Sequence, residues 1–243
     1  MPPDAGQSIE VRGADSVRGF DPRELLAESA ADGLPPVASV ELTPVALRAR
    51  FDRIDSLHWA PEIITDHRPD SPALIRPAAV LVPIVVAAGD LAVLLTVRPS
   101  HLRDHSGQIA FPGGRVEPTD PDRIGTALRE AHEEVGLGAE QIEVLGTLPP
   151  YRTGTGFDVT PVVGLIAGDP RLHLDPNEVA ETFLVPLEFL MNPANHERRR
   201  APAVNGTRAF FAMPWRDPAC GVEYFIWGVT AAILRNLYQF LRH

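Results

Sequence analysis

The sequence predicts an α/β (α+β) domain with a layered, mixed sheet. Strand-like and helix-like segments are mixed along the chain without the strict alternation of a doubly wound parallel sheet. The 243 residues, 44% of them hydrophobic, are enough to bury a core of one large domain or two small ones. These two observations indicate a globular protein whose sheet carries helices on its faces.

The N-terminal third has a composition of its own. Residues 1–40 are rich in Gly, Pro, Ala and Asp and show no sustained hydrophobic period, so we expect a flexible, partly disordered leader. Thr43 and Pro44 are a good N-cap and first-turn pair, which predicts a helix to about Ile54. A proline-rich, extended stretch follows. We therefore expect residues 41–77 to be a lead-in and residues 78–243 to form the main domain.

The main domain begins with two apolar runs, residues 78–87 and 91–97, on either side of Gly89 and Asp90. This pattern predicts a hairpin of buried strands. Residues 122–135 carry an apolar stripe at helical spacing and precede Gly136, a common helix stop. The further predicted elements are strands at residues 142–148, 159–167, 207–213 and 222–225, a short helix at 187–191 and an amphipathic helix at 227–241.

Charge and composition exclude several classes of protein. Acidic residues outnumber basic ones 32 to 22, which disfavours non-specific electrostatic binding of nucleic acid or anionic lipid. All bases are arginine, so mechanisms that need lysine are excluded. The longest apolar run is far short of the roughly 20 residues that span a bilayer. With a single cysteine and no signal pattern, we expect a soluble cytoplasmic protein without nucleic-acid or membrane partners.

The predicted helix at 122–135 carries three acids, Glu130, Glu133 and Glu134, within an arc of roughly 100°. Such carboxylates repel one another unless a cation lies between them, and their hard oxygens suit Mg²⁺ or Mn²⁺. A solvated helix face is the alternative interpretation of the same pattern. Upstream, Gly113 and Gly114 form a tight turn leading towards the helix.

The turn and the helix together resemble the Nudix box, because residues 129–136 match its RExxEExG pattern. The first acid of the box would fall on Pro121, so Asp120 or Asp122 must replace it with a shift of one residue. Residues 94–98 (LLTVR) and 102–114 (LRDHSGQIAFPGG) resemble the coenzyme A diphosphatase branch of that superfamily. The resemblance covers about residues 78–241.

This resemblance implies an α/β/α sandwich and metal-dependent hydrolysis of the diphosphate bond of coenzyme A or a derivative. The products would be 3′,5′-ADP and 4′-phosphopantetheine or its acyl derivative. We expect Glu130 and Glu134, with Glu133 next, to hold Mg²⁺ or Mn²⁺ and to be the catalytic acids. The general base is Glu130 or an acid from a later loop, Glu178 or Glu181.

Several side chains and backbone groups are candidates for binding the small-molecule substrate. They are Arg98, Arg103, His105, Gly113, Gly114 and Arg115. Two other functions stay open, namely a Nudix hydrolase of ADP-ribose or a dinucleotide and a catalytically silent Nudix-like binding module. The basic residues 196–200 are interpreted as a solvated loop. The stripe of the last helix is core or the face of a possible homodimer.

Overall fold

The computed structural model describes residues 21–64, 75–87, 89–99, 107–203 and 206–243. Within them the strands are β1 (Ala27–Ser29), β2 (Arg76–Ala87), β3 (Asp90–Val97), β4 (Ile109–Ala110), β5 (Gly113–Arg115), β6 (Ile142–Thr147), β7 (Tyr151–Arg152), β8 (Phe157–Ala167), β9 (Glu181–Pro186), β10 (Glu197–Ala203), β11 (Gly206–Arg216) and β12 (Glu223–Trp227). The helices are α1 (Pro44–Phe51), α2 (Arg123–Val135), α3 (Leu187–Leu190) and α4 (Gly228–Leu241).

A mixed sheet lies at the centre of the molecule. Its two long middle strands, β2 and β8, run parallel, and its other pairings are antiparallel. β3 returns from β2 as the predicted hairpin and carries β9 on its far edge. The short β5 pairs with the first half of β2, which brings the glycine turn into the sheet. The predicted mixed sheet is confirmed.

The two faces of this sheet bury different side chains because residues alternate along a strand. Ala79, Leu81 and Val85 of β2 pack with the apolar stripe of α2. Val82 and Ile84 point the other way and join the larger core, which includes α1 and α4. Helices thus cover both faces, as the predicted α/β/α sandwich requires.

A second sheet, which the sequence reasoning did not foresee, has the order β1-β10-β11-β12 and is antiparallel throughout. Its outer strand β1 lies in the predicted leader, of which residues 1–20 are outside the described residues. The apolar side chains of α4 belong to the large core, so this stripe is core in the structure. The possible homodimer and the predicted domain boundaries remain predictions.

The two best-defined helix ends follow from single residues. The Asp122 side chain accepts a hydrogen bond from Gly125 N–H at 2.8 Å and caps the start of α2. Gly136 ends the helix at φ 74°, in the left-handed region that glycine adopts without strain. Thr43 caps α1 in the same way, although that helix ends at Phe51 rather than near Ile54.

A buried polar cluster ties the segment before the central sheet to α4. Arg235, 1% exposed, donates from Nε to Glu62 at 2.7 Å and from Nη1 to His196 Nδ1 at 3.0 Å. His196 Nε2 donates to the Leu190 carbonyl at 2.7 Å. The interpretation of residues 196–200 as a solvated loop is therefore wrong. Buried His196 precedes strand β10, and Arg199 on that strand is also buried.

Acid is expected to weaken the fold through His196. Burial lowers the pKa of this imidazole from 6.5 to about 4, so the neutral ring is the native form. The stability it contributes is complete above pH 6.5 and is lost as the pH falls through about 4, a change of about 3 kcal/mol. Denaturant unfolding of wild type and His196→Gln at pH 7 and pH 4 measures it. Because glutamine supplies one donor and one acceptor without titrating, equal pH dependence in both proteins would contradict the assignment.

No helix among the described residues is long and apolar enough to cross a membrane.

Candidate active site

The carboxylates of α2 differ in depth. Glu134 is only 3% exposed, and its Oε2 accepts a hydrogen bond from Gly113 N–H at 3.3 Å. The Glu130 side chain is 15% exposed, whereas that of Glu133 is 54% exposed. The structure therefore brings Glu130 and Glu134 to the glycine turn and leaves Glu133 at the rim, although helical spacing put all three on one arc.

The glycines are needed because the backbone of β5 lies against its neighbours. A Cβ on Gly114 would overlap the carboxylate of Glu130. A Cβ on Gly113 would lie 2.5 Å from the Ala79 carbonyl oxygen and 2.6 Å from the Val80 Cα. The turn thus allows close approach to the carboxylates, and Gly113 N–H is engaged by Glu134 rather than directed at a ligand.

Arg129 organises the acids around it. Its guanidinium donates to Asp120 at 2.8 and 3.0 Å, to Glu130 at 3.0 Å and to Glu133 at 2.9 Å. It also donates to the Arg115 carbonyl at 3.1 Å, which ties the glycine turn to the helix. Hydrogen bonds from Arg129 hold the pKa of Asp120 well below its usual range.

This geometry distinguishes the two candidates for the displaced acid of the box. Asp120 binds Arg129 and also accepts from Thr126 Oγ1 at 2.8 Å. Asp122 instead caps the helix. Asp120 is therefore the acid that takes the structural place next to the box arginine. Sequence spacing alone allowed either residue because both lie one position from Pro121.

Burial and repulsion raise the pKa values of the two deep acids. Burial is the main cause for Glu134, whose pKa rises to about 8, and the nearby Glu178 charge raises it further. The Arg98 charge and the Gly113 hydrogen bond oppose that rise. Burial also raises the pKa of Glu130, opposed by Arg129. Burial therefore disfavours the ionised forms of Glu130 and Glu134 in the metal-free protein.

The two loop acids considered as general bases are placed differently. Glu178 lies in the segment before β9 and acts electrostatically on both Glu130 and Glu134. Glu181 begins β9 and accepts a hydrogen bond from the hydroxyl of Tyr224. Glu178 is therefore the loop acid that lies near the acids of α2. Glu181, in contrast, is bound by the hydroxyl of Tyr224.

The predicted substrate-binding residues are only partly brought together. Arg98 follows β3, and its positive charge lowers the pKa of Glu134. Arg103 and His105 lie outside the described residues. Arg115 directs its guanidinium to the ring of Phe157, 5.4 Å from the centroid. Sequence reasoning did not select Phe157. In the sequence, Phe157 is marked only by its position directly after the Thr/Gly loop at 153–156, where strand β8 begins.

The donor set suits a hard divalent cation. Among the described residues, no three His, Cys, Asp or Glu side chains are already grouped as a metal-ligand set. Mg²⁺, however, is commonly held by one or two carboxylates, with waters and substrate phosphate oxygens completing its shell. Glu130 and Glu134 supply two such carboxylates. Burial raises the pKa of both groups, and a bound cation would favour their ionised forms.

Two of the surface pockets lie away from the acids of α2. One is lined by residues of the N-terminal segment together with Gly107, Gln108, Phe225 and Trp227. The other lies between Tyr151, β11 and the start of α4. Neither of these two is lined by Glu130 or Glu134, and the chemistry of the carboxylates identifies the candidate site.

Alanine substitutions at the two glycines should separate activity from folding. Gly114→Ala displaces the Glu130 carboxylate, the far end of a side chain, so we expect activity to fall by about 10²-fold with a modest loss of stability. Gly113→Ala meets backbone atoms of β2 and should mainly destabilise the fold. Thermal unfolding and turnover measured on both variants test this. Equal losses of stability in the two would contradict it.

Comparisons with known proteins identify the family of this chain. A family model described as the NUDIX domain matches residues 75–205. A protein of Enterobacter sp. (strain 638), named Uncharacterized Nudix hydrolase NudL, is 44% identical over 167 residues, which is 67% of this chain and 81% of that protein. A protein of Yersinia pestis (strain Pestoides F) with the same name is 38% identical over 179 residues, 74% of this chain and 86% of that protein.

Two solved structures are similar over about half of the chain. A binary complex of the C. elegans Ap4A hydrolase is 25% identical, with a TM-score of 0.40, and covers 47% of this chain and 82% of its own. The M. smegmatis Nudix hydrolase RenU is 27% identical, with a TM-score of 0.41. It covers 47% of this chain and 72% of its own. The matched family region contains the glycine turn, all of α2 and Glu178, and the named relatives match most of their own length, so the chain belongs to the Nudix hydrolase family.

Proposed function

We propose that this Nudix hydrolase cleaves the diphosphate bond of coenzyme A or its derivatives, giving 3′,5′-ADP and 4′-phosphopantetheine or an acyl form of it. The observation that carries the hydrolytic part is the pair of partly buried Glu130 and buried Glu134 against the Gly113–Gly114 turn, with Arg98 beside it. The choice of coenzyme A is supported by the segments at 94–98 and 102–114, which resemble the coenzyme A diphosphatase branch.

Nudix hydrolases generally need a divalent metal ion, usually Mg²⁺ or Mn²⁺. Glu130 and Glu134 would hold it, and when bound it would neutralise diphosphate charge and lower the pKa of a nearby water. Arg129 holds Glu130 in place from one side, and the glycine turn holds Glu134 from the other. These contacts fix the two carboxylates before substrate arrives, which is what electrostatic catalysis requires.

The remaining groups suit the hydrolytic step. Water attacks one phosphorus, the bridging P–O bond breaks, and the second phosphate leaves as a monoester. We assign the proton of the attacking water to Glu178, because it lies beside both deep acids and Glu181 is engaged by Tyr224. The charge of Arg98, which lowers the pKa of Glu134, would also offset negative charge on a bound diphosphate.

Product analysis tests the proposal directly. Coenzyme A is incubated with the purified protein in Mg²⁺, in Mn²⁺ and in chelator, and we expect 3′,5′-ADP to form only with metal. Cleavage of ADP-ribose or a dinucleotide instead of coenzyme A would retain hydrolysis but overturn the substrate. Failure to cleave any of these substrates with either metal would favour a binding module.

A further inference from the structure

Two arginines lie on one phenylalanine ring at the end of the central sheet. The guanidinium carbon of Arg76 is 4.0 Å from the centroid of Phe157, and that of Arg115 is 5.4 Å from it. Arg76 and Phe157 are partners in the β2–β8 register, and Arg115 pairs with Ala78, two residues after Arg76. Because alternate residues of a strand share a face, all three side chains lie on the same side of the sheet.

This arginine pair, Arg76 and Arg115, has no acidic partner in the part of the chain that the structure describes. Arg76 Nη2 donates to the Thr155 carbonyl at 2.8 Å, and both side chains are exposed. Within the described ranges, no carboxylate forms an ion pair with either guanidinium, whereas the neighbouring Arg152 pairs with Asp158 at 3.5 Å. Two guanidinium groups on one ring, without a carboxylate partner among the described residues, indicate an anionic ligand on this chain of formal charge −10.

The arginine pair is close to the reaction but separate from it. Arg115 follows Gly114, whose backbone lies against Glu130 on the α2 face of β5. The guanidinium of Arg115 points to the opposite face, while its carbonyl is held by Arg129 at 3.1 Å. A ligand whose diphosphate lies at the carboxylates would reach the arginine pair with a third phosphate group, separate from the diphosphate and on the other side of β5.

We propose that Arg76 and Arg115, held on Phe157, bind the 3′-phosphate of the adenosine half of coenzyme A. This inference rests on the proposed function and deepens it, because ADP-ribose and ordinary dinucleotides lack that phosphate. A guanidinium matches a phosphate with two parallel hydrogen bonds, and a second guanidinium completes the charge balance. Contact with the ring restricts both long side chains beforehand, so less conformational entropy is lost when the phosphate binds.

The test compares coenzyme A with 3′-dephospho-coenzyme A as substrates. For the wild type, we expect a higher kcat/KM with coenzyme A. Arg76→Met and Arg115→Met should each lower the ratio of the two kcat/KM values by about tenfold or more. Arg152→Met is the matched control, because Arg152 is nearby, is similarly exposed and is already paired with Asp158, so its ratio should stay that of the wild type.

A binding measurement separates this inference from the proposed function. Calorimetric titration with 3′,5′-ADP and with 5′-AMP, in chelator, should show tighter binding of 3′,5′-ADP to the wild type and loss of that difference in Arg76→Met. If this pattern holds while coenzyme A is not cleaved, the phosphate subsite stands and the proposed reaction is wrong. Equal binding of the two nucleotides by the wild type, or an unchanged kcat/KM ratio in both arginine variants, would overturn the subsite.

Discussion

Replacing Glu134 with glutamine is expected to abolish turnover and, at the same time, to stabilise the metal-free protein at neutral and alkaline pH. Glutamine keeps the shape of the side chain and removes the charge that would hold the cation. We expect turnover to fall by at least about 10³-fold. The stability effect has a separate cause, since burial raises the pKa of Glu134 from 4.5 to about 8.

The sign of the pH effect follows from the direction of that shift. A carboxyl whose pKa is raised by folding contributes stability fully below pH 4.5, and this contribution is lost as the pH rises through about 8. In metal-free buffer, wild type should therefore lose on the order of 3–5 kcal/mol of unfolding free energy between pH 5 and pH 9 through this group. Glu134→Gln should not show that loss, and denaturant unfolding in chelator at the two pH values measures the difference.

Glu133→Gln is the matched control for stability, because Glu133 lies on the same helix but is largely exposed. It should not reproduce the pH-dependent gain. Added Mg²⁺ or Mn²⁺ should raise the melting temperature of wild type at pH 8 and leave that of Glu134→Gln unchanged, since a ligand stabilises only the form that binds it. Near-normal turnover in Glu134→Gln with an unchanged circular dichroism spectrum would overturn the metal assignment.

The helix that carries these acids could be predicted from the sequence because its signals are local. Its apolar stripe fixes the buried face, Asp122 caps its start and Gly136 ends it. The β2–β3 hairpin is similarly local, with Gly89 and Asp90 between two apolar runs. In contrast, the short strands β4, β5 and β7 have only two or three residues and exist through their pairing with distant partners, which no local pattern encodes.

The burial of each acid of the site could not be predicted from helical periodicity. Helical spacing groups Glu130, Glu133 and Glu134 on one arc, yet the glycine turn covers only Glu130 and Glu134. The N-terminal segment shows the same limit. Glu62 lies in a stretch without periodicity, and its role appears only when Arg235 of α4 is placed opposite it at 2.7 Å. Tertiary contacts, rather than propensities, decide both results.

Arg129 links the candidate site to the fold. Arg129 is the only side chain of the described region that contacts Asp120, Glu130, Glu133 and the Arg115 carbonyl together. Its ion pairs offset part of the negative charge of Asp120, Glu130 and Glu133. The same guanidinium therefore positions Glu130, an expected metal ligand, and joins the end of β5 to α2.

Arg129→Met should consequently impair both stability and activity. Loss of the guanidinium leaves the carboxylate of Asp120, whose side chain is 4% exposed, without its ion-pair partner. Glu130 loses its orienting contact, and we expect metal affinity and turnover to fall by about 10- to 100-fold, as when groups that orient metal ligands are removed. Isothermal titration with Mn²⁺, turnover and thermal unfolding of the variant measure the three effects.

Arg48→Met is the control for the general loss of an arginine ion pair. Arg48 binds Glu143 through two short hydrogen bonds of 2.6 and 2.7 Å, but both side chains are nearly half exposed and lie on α1 and β6, away from the acids. Water replaces such a pair easily, so its loss should change little. If Arg129→Met unfolds at the same temperature as Arg48→Met and binds Mn²⁺ like wild type, the acids of α2 are positioned by the backbone alone. A melting temperature clearly below that of Arg48→Met, together with weaker Mn²⁺ binding, would show that one guanidinium supports both the turn and the cation site.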